Sequence, residues 1–203
     1  MKKAIIYLFF LIVASPLFSQ NADIDILKSI NLNRNKSLDP TFRVITHSIY
    51  PISLGAPAII LSVGLLKKDS SLRHKGIFIA ESIFVNAFIS TALKYSIQRP
   101  RPFITYPYLE KATEAGSRSF PSGHTSDAFA TATSLSIAFP KWYVIAPSFL
   151  WAGAVGYSRM HLGVHYPSDI LAGAFIGAGS AYLCHYINKK LFQKKRNIQL
   201  KPE

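Results

Sequence analysis

Five apolar stretches, at residues 52–66, 77–93, 125–139, 142–157 and 170–187, constrain this chain more than anything else in it. Together they hold 81 residues and two charged ones, Glu81 and Asp127. At the chain-wide charged fraction of 16% they would hold about 13. Such depletion is expected of segments that sit in lipid, where an ionised side chain at the bilayer centre costs roughly 2.5–3.5 kcal/mol or more. The stretches are 15 to 18 residues long, at the short edge of the ~17–25 a spanning helix needs, and each can borrow flanking residues such as Tyr50-Pro51. Gly173, Gly177, Gly179 and Ser180 allow close helix contact. Pro57 and Pro147 kink helices in a bundle without forbidding them. The expectation is an all-α, integral-membrane helical bundle with five transmembrane helices.

Ahead of these lies an N-terminal segment, residues 1–19, with Lys2 and Lys3, an apolar run over residues 4–14 and a small residue, Ser19. It reads as a cleaved signal peptide or as an uncleaved sixth, anchoring helix, and in both cases the chain after Ser19 starts outside the cytoplasm. Residues 20–203 then form one domain. Ile24, Ile26, Leu27, Ile30 and Leu32 suggest a short amphipathic helix, at the membrane surface or simply on the protein surface.

The formal charge of +13, from 23 Lys and Arg against 10 Asp and Glu, tests the topology. With residue 20 outside, the inner segments carry net +11 and the outer ones net +3, Glu81 making up the difference. That is the positive-inside pattern. It places the chain as a multi-pass protein of the cytoplasmic (inner) membrane, with residues 188–203 as a basic cytoplasmic tail. A nucleic-acid partner is not supported, because no folded reader accompanies the basic tail. Disorder is excluded by the 49% hydrophobic content, and a disulfide scaffold by the single Cys184.

The chemistry-bearing residues fall at the outer helix ends. Lys94 to Arg101-Pro102 comes after one apolar stretch, Pro121-Ser122-Gly123-His124 opens another, and Ser158-Arg159 with His165 and Asp169 bridges the last two. Lys94, Arg101 and Arg159 supply three cations, and arginine's fork fits phosphate oxygens. Ser122 and Gly123 precede a helix whose first N–H groups attract anions. His124 stands beside such a group as an acid. His165 and Asp169, four apart, share one face of a helix starting near Pro167, so the carboxylate can orient the imidazole. The set is a phosphate site, with the active site on the outer, periplasmic side.

These clusters, in order and complete, match Lys-x6-Arg-Pro, Pro-Ser-Gly-His and Ser-Arg-x5-His-x3-Asp. The chain therefore resembles the type-2 phosphatidic acid phosphatase superfamily, over residues 94–169 by motif and about 50–187 by helix arrangement. The resemblance implies a metal-independent phosphatase or diphosphatase of membrane lipids with no cofactor. It implies His165 as the nucleophile that forms a phosphohistidine, Asp169 as its orienting carboxylate and His124 as the acid. Lys94, Arg101, Ser122, Gly123 and Arg159 would bind phosphate. Lipid phosphates or diphosphates are the implied substrates, including undecaprenyl diphosphate, phosphatidylglycerophosphate, phosphatidate and lipid A phosphates.

Two other readings remain beside it. One is a soluble exported acid phosphatase of the same superfamily; the other is a transporter or lipid-binding module that uses the cationic site without chemistry. Outside the motifs, Arg99 reads as a headgroup contact and His161 as a pocket-lining or solvated histidine. Asp127 either tunes His124 or caps a turn, and Glu81 has no assigned role. His47, His74 and His185 show no metal-ligand spacing, so no metal site is expected. Substrate specificity is expected in residues 103–120 and 20–50. Oligomeric state has no signal.

Overall fold

The computed structural model describes residues 16–116 and 118–199, with side chains described from residue 22 to 191 except Ser117. The first fifteen residues of the leader and the last four of the tail lie outside the described residues. Among the described residues every regular element is helical: α1 (Pro16–Leu32), a 3₁₀ turn (Lys36–Leu38), α2 (Asp39–His47), α3 (Ile49–Leu66), α4 (Ser70–Ile97), the short α5 (Pro102–Thr105), α6 (Gly123–Ala138), α7 (Trp142–His161) and α8 (Pro167–Gln199).

Each apolar stretch becomes a helix longer than its apolar run. The helices α4 and α8 extend well past residues 77–93 and 170–187, α8 through a polar flank rich in Lys, Gln and Arg, which are good helix formers. Caps set the other ends. Asp69 accepts from Leu72 N (3.1 Å) at the start of α4. Gln98 ends α4 in the left-handed conformation (φ 51°) and redirects the chain toward Arg99 and Arg101.

Among the described residues three helical stretches are long and apolar enough to cross a membrane: Lys36–Leu66, Ser70–Thr105 and Pro167–Leu191. The other two expected spans, in α6 and α7, fall short by length or hydropathy. The reason for α6 is its position. It packs against α3, α4, α7 and α8 at the centre of the bundle, so it faces protein more than lipid. Its buried positions are small, including Ser126, Ala128, Ala130, Thr131, Ala132 and Ser134. Against it Gly173 and Gly177 of α8 make the closest approach: a Cβ at Gly177 would lie 2.1 Å from Ser126 O, and one at Gly173 would lie 2.8 Å from Ser122 O. Gly179 differs from the sequence expectation, since a Cβ there would meet nothing within 4 Å.

The α3/α4/α6 seam is polar. Ser53 pairs with Thr131 (2.8 Å), Ser90 with Ser126 (2.7 Å), and Asn86 accepts from Ser126 and donates to Asp127 (2.6 Å). Asp127 therefore neither caps a turn nor touches His124 by a hydrogen bond; it is held by Asn86. Large apolar side chains point outward instead, among them Leu54, Phe84, Phe88, Leu150 and Phe175, each at least two-thirds exposed. A soluble protein rarely exposes so much contiguous apolar surface, whereas a lipid-embedded one must.

The amphipathic α1 lies against α7 and α8. Ile24 and Leu27 are buried with Leu109 and Tyr166. Asn31, fully buried, donates to Glu110 O and His161 O (both 3.1 Å) and accepts from Glu110 N (2.9 Å), tying α1 to the loop after α5.

Candidate active site

The C-terminal ends of α4 and α7 and the N-terminal ends of α6 and α8 meet at one end of the bundle. The three clusters that are distant in sequence are thereby brought together. Lys94, Arg101, Gly123, His124, Arg159 and His165 line one cavity of about 470 Å³. His47 and Tyr50 close one side and Glu114, Ala115 and Gly116 another.

Each cation is held by backbone or hydroxyl oxygens rather than by a carboxylate. Lys94 Nζ donates to Pro121 O (2.6 Å). Arg101 donates to Gly116 O (2.7 Å) and Val164 O (2.8 Å). Arg159 is 2% exposed, donates from Nη1 to Thr46 Oγ1 (2.8 Å), and its buried Nε finds no partner among the described residues. None of the three has a carboxylate within 4 Å among the described residues. Three cations without a paired carboxylate, in a cavity that Glu114 also lines, make it a candidate anion site, since a buried charge is costly until paired.

His165 precedes α8 by two residues instead of lying on it, and the contact with Asp169 forms nonetheless. Its Nδ1 lies 3.3 Å from Asp169 Oδ2, and its Nε2 lies 3.0 Å from Arg101 Nη1. Arginine can only donate, so Nε2 carries a lone pair and Nδ1 carries the proton facing the carboxylate. Burial is the main force lowering the pKa of His165, to about 3; Asp169 opposes it and Arg101 reinforces it. The ring is thus neutral, with its unshared pair directed toward the cavity's cations.

Asp169 is fully buried and accepts from Ser119 Oγ (2.5 Å), Tyr166 N (3.0 Å) and Arg99 Nη1 (2.8 Å). His124 lines the cavity with its ring edge-on to Tyr50 (5.7 Å between centroids). Gly123 leaves open space: a Cβ there would meet only Lys94 Cε, at 3.8 Å. Ser122 is the one expected ligand outside the cavity lining. It is fully buried, and its hydroxyl pairs with Thr125 Oγ1 (2.9 Å) while its N–H donates to Asp169 O (3.1 Å).

Residues outside the motifs also find places. Arg99, partly buried, bridges Asp23 and Asp169 and lies over the Tyr166 ring. His161 is buried and bonded to Asp39 (2.9 Å), away from the cavity lining. Glu81 accepts from Asn188 (2.8 Å) at the far end of the bundle. Sequence reasoning missed His47, Tyr50, Thr46, Glu114 and Ser119, whose roles depend on packing and carry no local pattern. Among the described residues, no group of three His, Cys, Asp or Glu is placed to hold a metal ion.

Fold and site together define a helical, multi-pass membrane protein with a cation-lined cavity at one end, where a neutral histidine is backed by a carboxylate. Residues 75–193, more than half of the chain, match the PAP2 superfamily, and the chain belongs to that superfamily. It is 36% identical over 90 residues to the lipid A 4'-phosphatase of Bacteroides thetaiotaomicron, covering 44% of this chain and 40% of that protein. It is 28% identical over 166 residues to an undecaprenyl-diphosphatase of Sulfolobus acidocaldarius, covering 79% of this chain and 76% of that one. The crystal structure of a transmembrane PAP2-type phosphatidylglycerolphosphate phosphatase from Bacillus subtilis superposes with a TM-score of 0.75 at 27% identity, over 91% of this chain and 94% of that one. The match thus spans under half the length of the lipid A phosphatase but nearly all of the crystallised protein.

Proposed function

We propose that this chain is a membrane lipid phosphatase that hydrolyses a phosphomonoester or diphosphate headgroup through a phosphohistidine on His165, without a metal ion. The observation that carries the reading is the convergence of Lys94, Arg101 and Arg159, all without a carboxylate partner, on the cavity that His124 and His165 also line. The named activities of the relatives agree with it.

The phosphoryl group enters with its oxygens on Lys94, Arg101, Arg159 and the Gly123 N–H at the start of α6. These donors stabilise the charge of the transferring group, which is the main task in phosphoryl transfer. His165 Nε2 attacks phosphorus, and the bond to the leaving oxygen breaks. His124, whose pKa burial and then Arg159 hold down at about 3 before the anion enters, takes up a proton with the bound phosphate anion and gives it to that oxygen. Asp169 holds Nδ1–H and stabilises the cationic ring that results. Water then attacks the phosphohistidine with His124 as base, the N–P bond breaks, and phosphate leaves.

The orientation is set by charge. The end opposite the cavity carries Lys67, Lys68, Arg73, Lys75, Lys141, Lys189 and Lys190. Under the positive-inside tendency that end is cytoplasmic and the cavity faces outward. Five spanning helices, α3, α4, α6, α7 and α8, satisfy this alternation, with α6 enclosed by its neighbours and α7 turning Trp142, Tyr143 and Leu150 outward.

The test is phosphate release by detergent-purified protein from a panel of lipid monophosphates and diphosphates in the presence of EDTA. Release from at least one, a base-stable and acid-labile phosphoenzyme in the wild type, and loss of both in His165→Ala are expected. Binding without release in every case would leave a lipid-binding module and refute the enzyme.

A further inference from the structure

Arg99 lies outside the cavity lining and, unlike Lys94, Arg101 and Arg159, is paired with carboxylates. Its guanidinium joins two acids from distant parts of the chain. Nη2 donates to Asp23 Oδ2 (2.7 Å), and Nη1 donates to Asp169 Oδ1 (2.8 Å) and Ser168 Oγ (2.7 Å). Its plane rests on Tyr166, 3.8 Å from the ring centroid. Asp23, from α1, is 6% exposed and also accepts from Ser168 N (2.8 Å) and from the Ser168 hydroxyl.

The division of labour at Asp169 gives this bridge its meaning. Oδ2 takes Ser119 Oγ, Tyr166 N and His165 Nδ1. Oδ1 has Arg99 as its hydrogen-bond donor among the described residues. A carboxylate anchored on one oxygen only by short donors can rotate about its terminal torsion, which is broad and intrinsically weakly restrained. The bond most easily lost on such rotation is the longest, the 3.3 Å contact to His165. Arg99 closes that freedom from the other side, and Asp23 with Tyr166 fixes Arg99.

We infer that Arg99, anchored by Asp23 of α1, is a positioning residue that fixes the Asp169 carboxylate and through it the His165 ring. The N-terminal helix is thereby part of the reaction apparatus. This rests on His165 being the nucleophile, as proposed above.

The experiment measures kcat and KM for phosphate release, together with the melting shift caused by inorganic phosphate, in wild type, Arg99→Lys, Arg99→Gln, Asp23→Asn and His165→Ala. Misplacing a reacting group by about 1 Å costs on the order of 10²-fold, so kcat of Arg99→Gln should fall ~10- to 100-fold. KM should stay within about twofold and the phosphate-induced shift should persist, because the cavity cations are untouched. Arg99→Lys should recover part of the loss: an ammonium can pair with Asp169 but cannot reach Asp23 at the same time. Asp23→Asn should lower kcat less than Arg99→Gln, with the same KM. If Arg99→Gln fails to fold, Arg99→Lys and Asp23→Asn carry the test. Wild-type kcat in both Arg99→Lys and Asp23→Asn, or a rise of KM in place of the kcat loss, would overturn the inference. Phosphate release by His165→Ala would overturn the nucleophile assignment instead, so the two failures are distinguishable.

Discussion

Replacing Arg159 by Gln should make the protein more stable and far less active. Arg159 is 2% exposed, its Nε has no partner among the described residues, and Lys94 and Arg101 share its cavity. An unmet buried donor costs about 1–3 kcal/mol. The unpaired guanidinium adds a desolvation penalty that the open cavity reduces but does not abolish. Gln, two bonds shorter, gives up the Nη1 bond to Thr46 (2.8 Å), which offsets about 0.5–1.5 kcal/mol of the gain. Against this gain stands some lost packing of the arginine stem. The net expectation is a stabilisation of about 1–3 kcal/mol, with each kcal/mol moving the melting midpoint by roughly 2–4 °C in a chain of this size. Activity should move the other way. Loss of one donor to a developing oxyanion costs ~10²–10³ in kcat. Added phosphate offers a third readout: a ligand at 100 times its Kd stabilises by about 2.7 kcal/mol, and this shift should shrink in the variant. The assay is thermal unfolding in detergent with and without phosphate, beside phosphate release from lipid. A variant that melts lower than wild type and retains activity within about threefold would refute the view of Arg159 as an uncompensated charge kept for an anion.

The same geometry sets further outcomes. The pKa of His165 is lowered to about 3 by burial, so below pH 6.5 the unfolded chain binds a proton there that the folded protein refuses. The wild type should therefore lose stability as pH falls from 6.5 toward 3, and melting curves of His165→Asn should show a smaller loss over that window. A Cβ at Gly177 would meet Ser126 O at 2.1 Å and one at Gly179 would meet nothing within 4 Å. Gly177→Ala should accordingly lower the melting midpoint sharply, while Gly179→Ala should leave it unchanged or raise it, through a stabilisation of up to ~1 kcal/mol from helix propensity; equal effects would contradict the α6/α8 contact. EDTA at millimolar levels should leave phosphate release intact, and restoration of activity only by added metal would contradict the assignment of charge stabilisation to Lys94, Arg101 and Arg159.

Much of this protein was legible in residues whose meaning is local. Charge depletion over 81 residues marks helices that must satisfy their backbone internally, whatever the tertiary arrangement. The cations, the helix N-terminus and the histidine four residues before an acid, between Lys94 and Asp169, could be picked out as a candidate phosphate site by residue type and spacing alone. The start of α8 near Pro167 is also set by local rules.

Other features were decided by packing alone. Ser122 belongs to the motif, but α8 approaches so closely through Gly173 that Ser122 is buried and turned to Thr125. Arg99 and Arg101 sit two residues apart with the same chemistry, yet one is neutralised by Asp23 and Asp169 while the other meets His165. In the sequence only the spacing from Lys94, read through the family resemblance, separates them. Which arginine remains an available cation depends on where α1, far upstream in the chain, docks, and that is fixed by the burial of Ile24 and Leu27 against Leu109 and Tyr166. Sequence determined the medium this chain lives in and the residue types at its site. Tertiary structure decided which charges face the cavity and which are cancelled, because only through-space distance sets whether a buried charge has a partner.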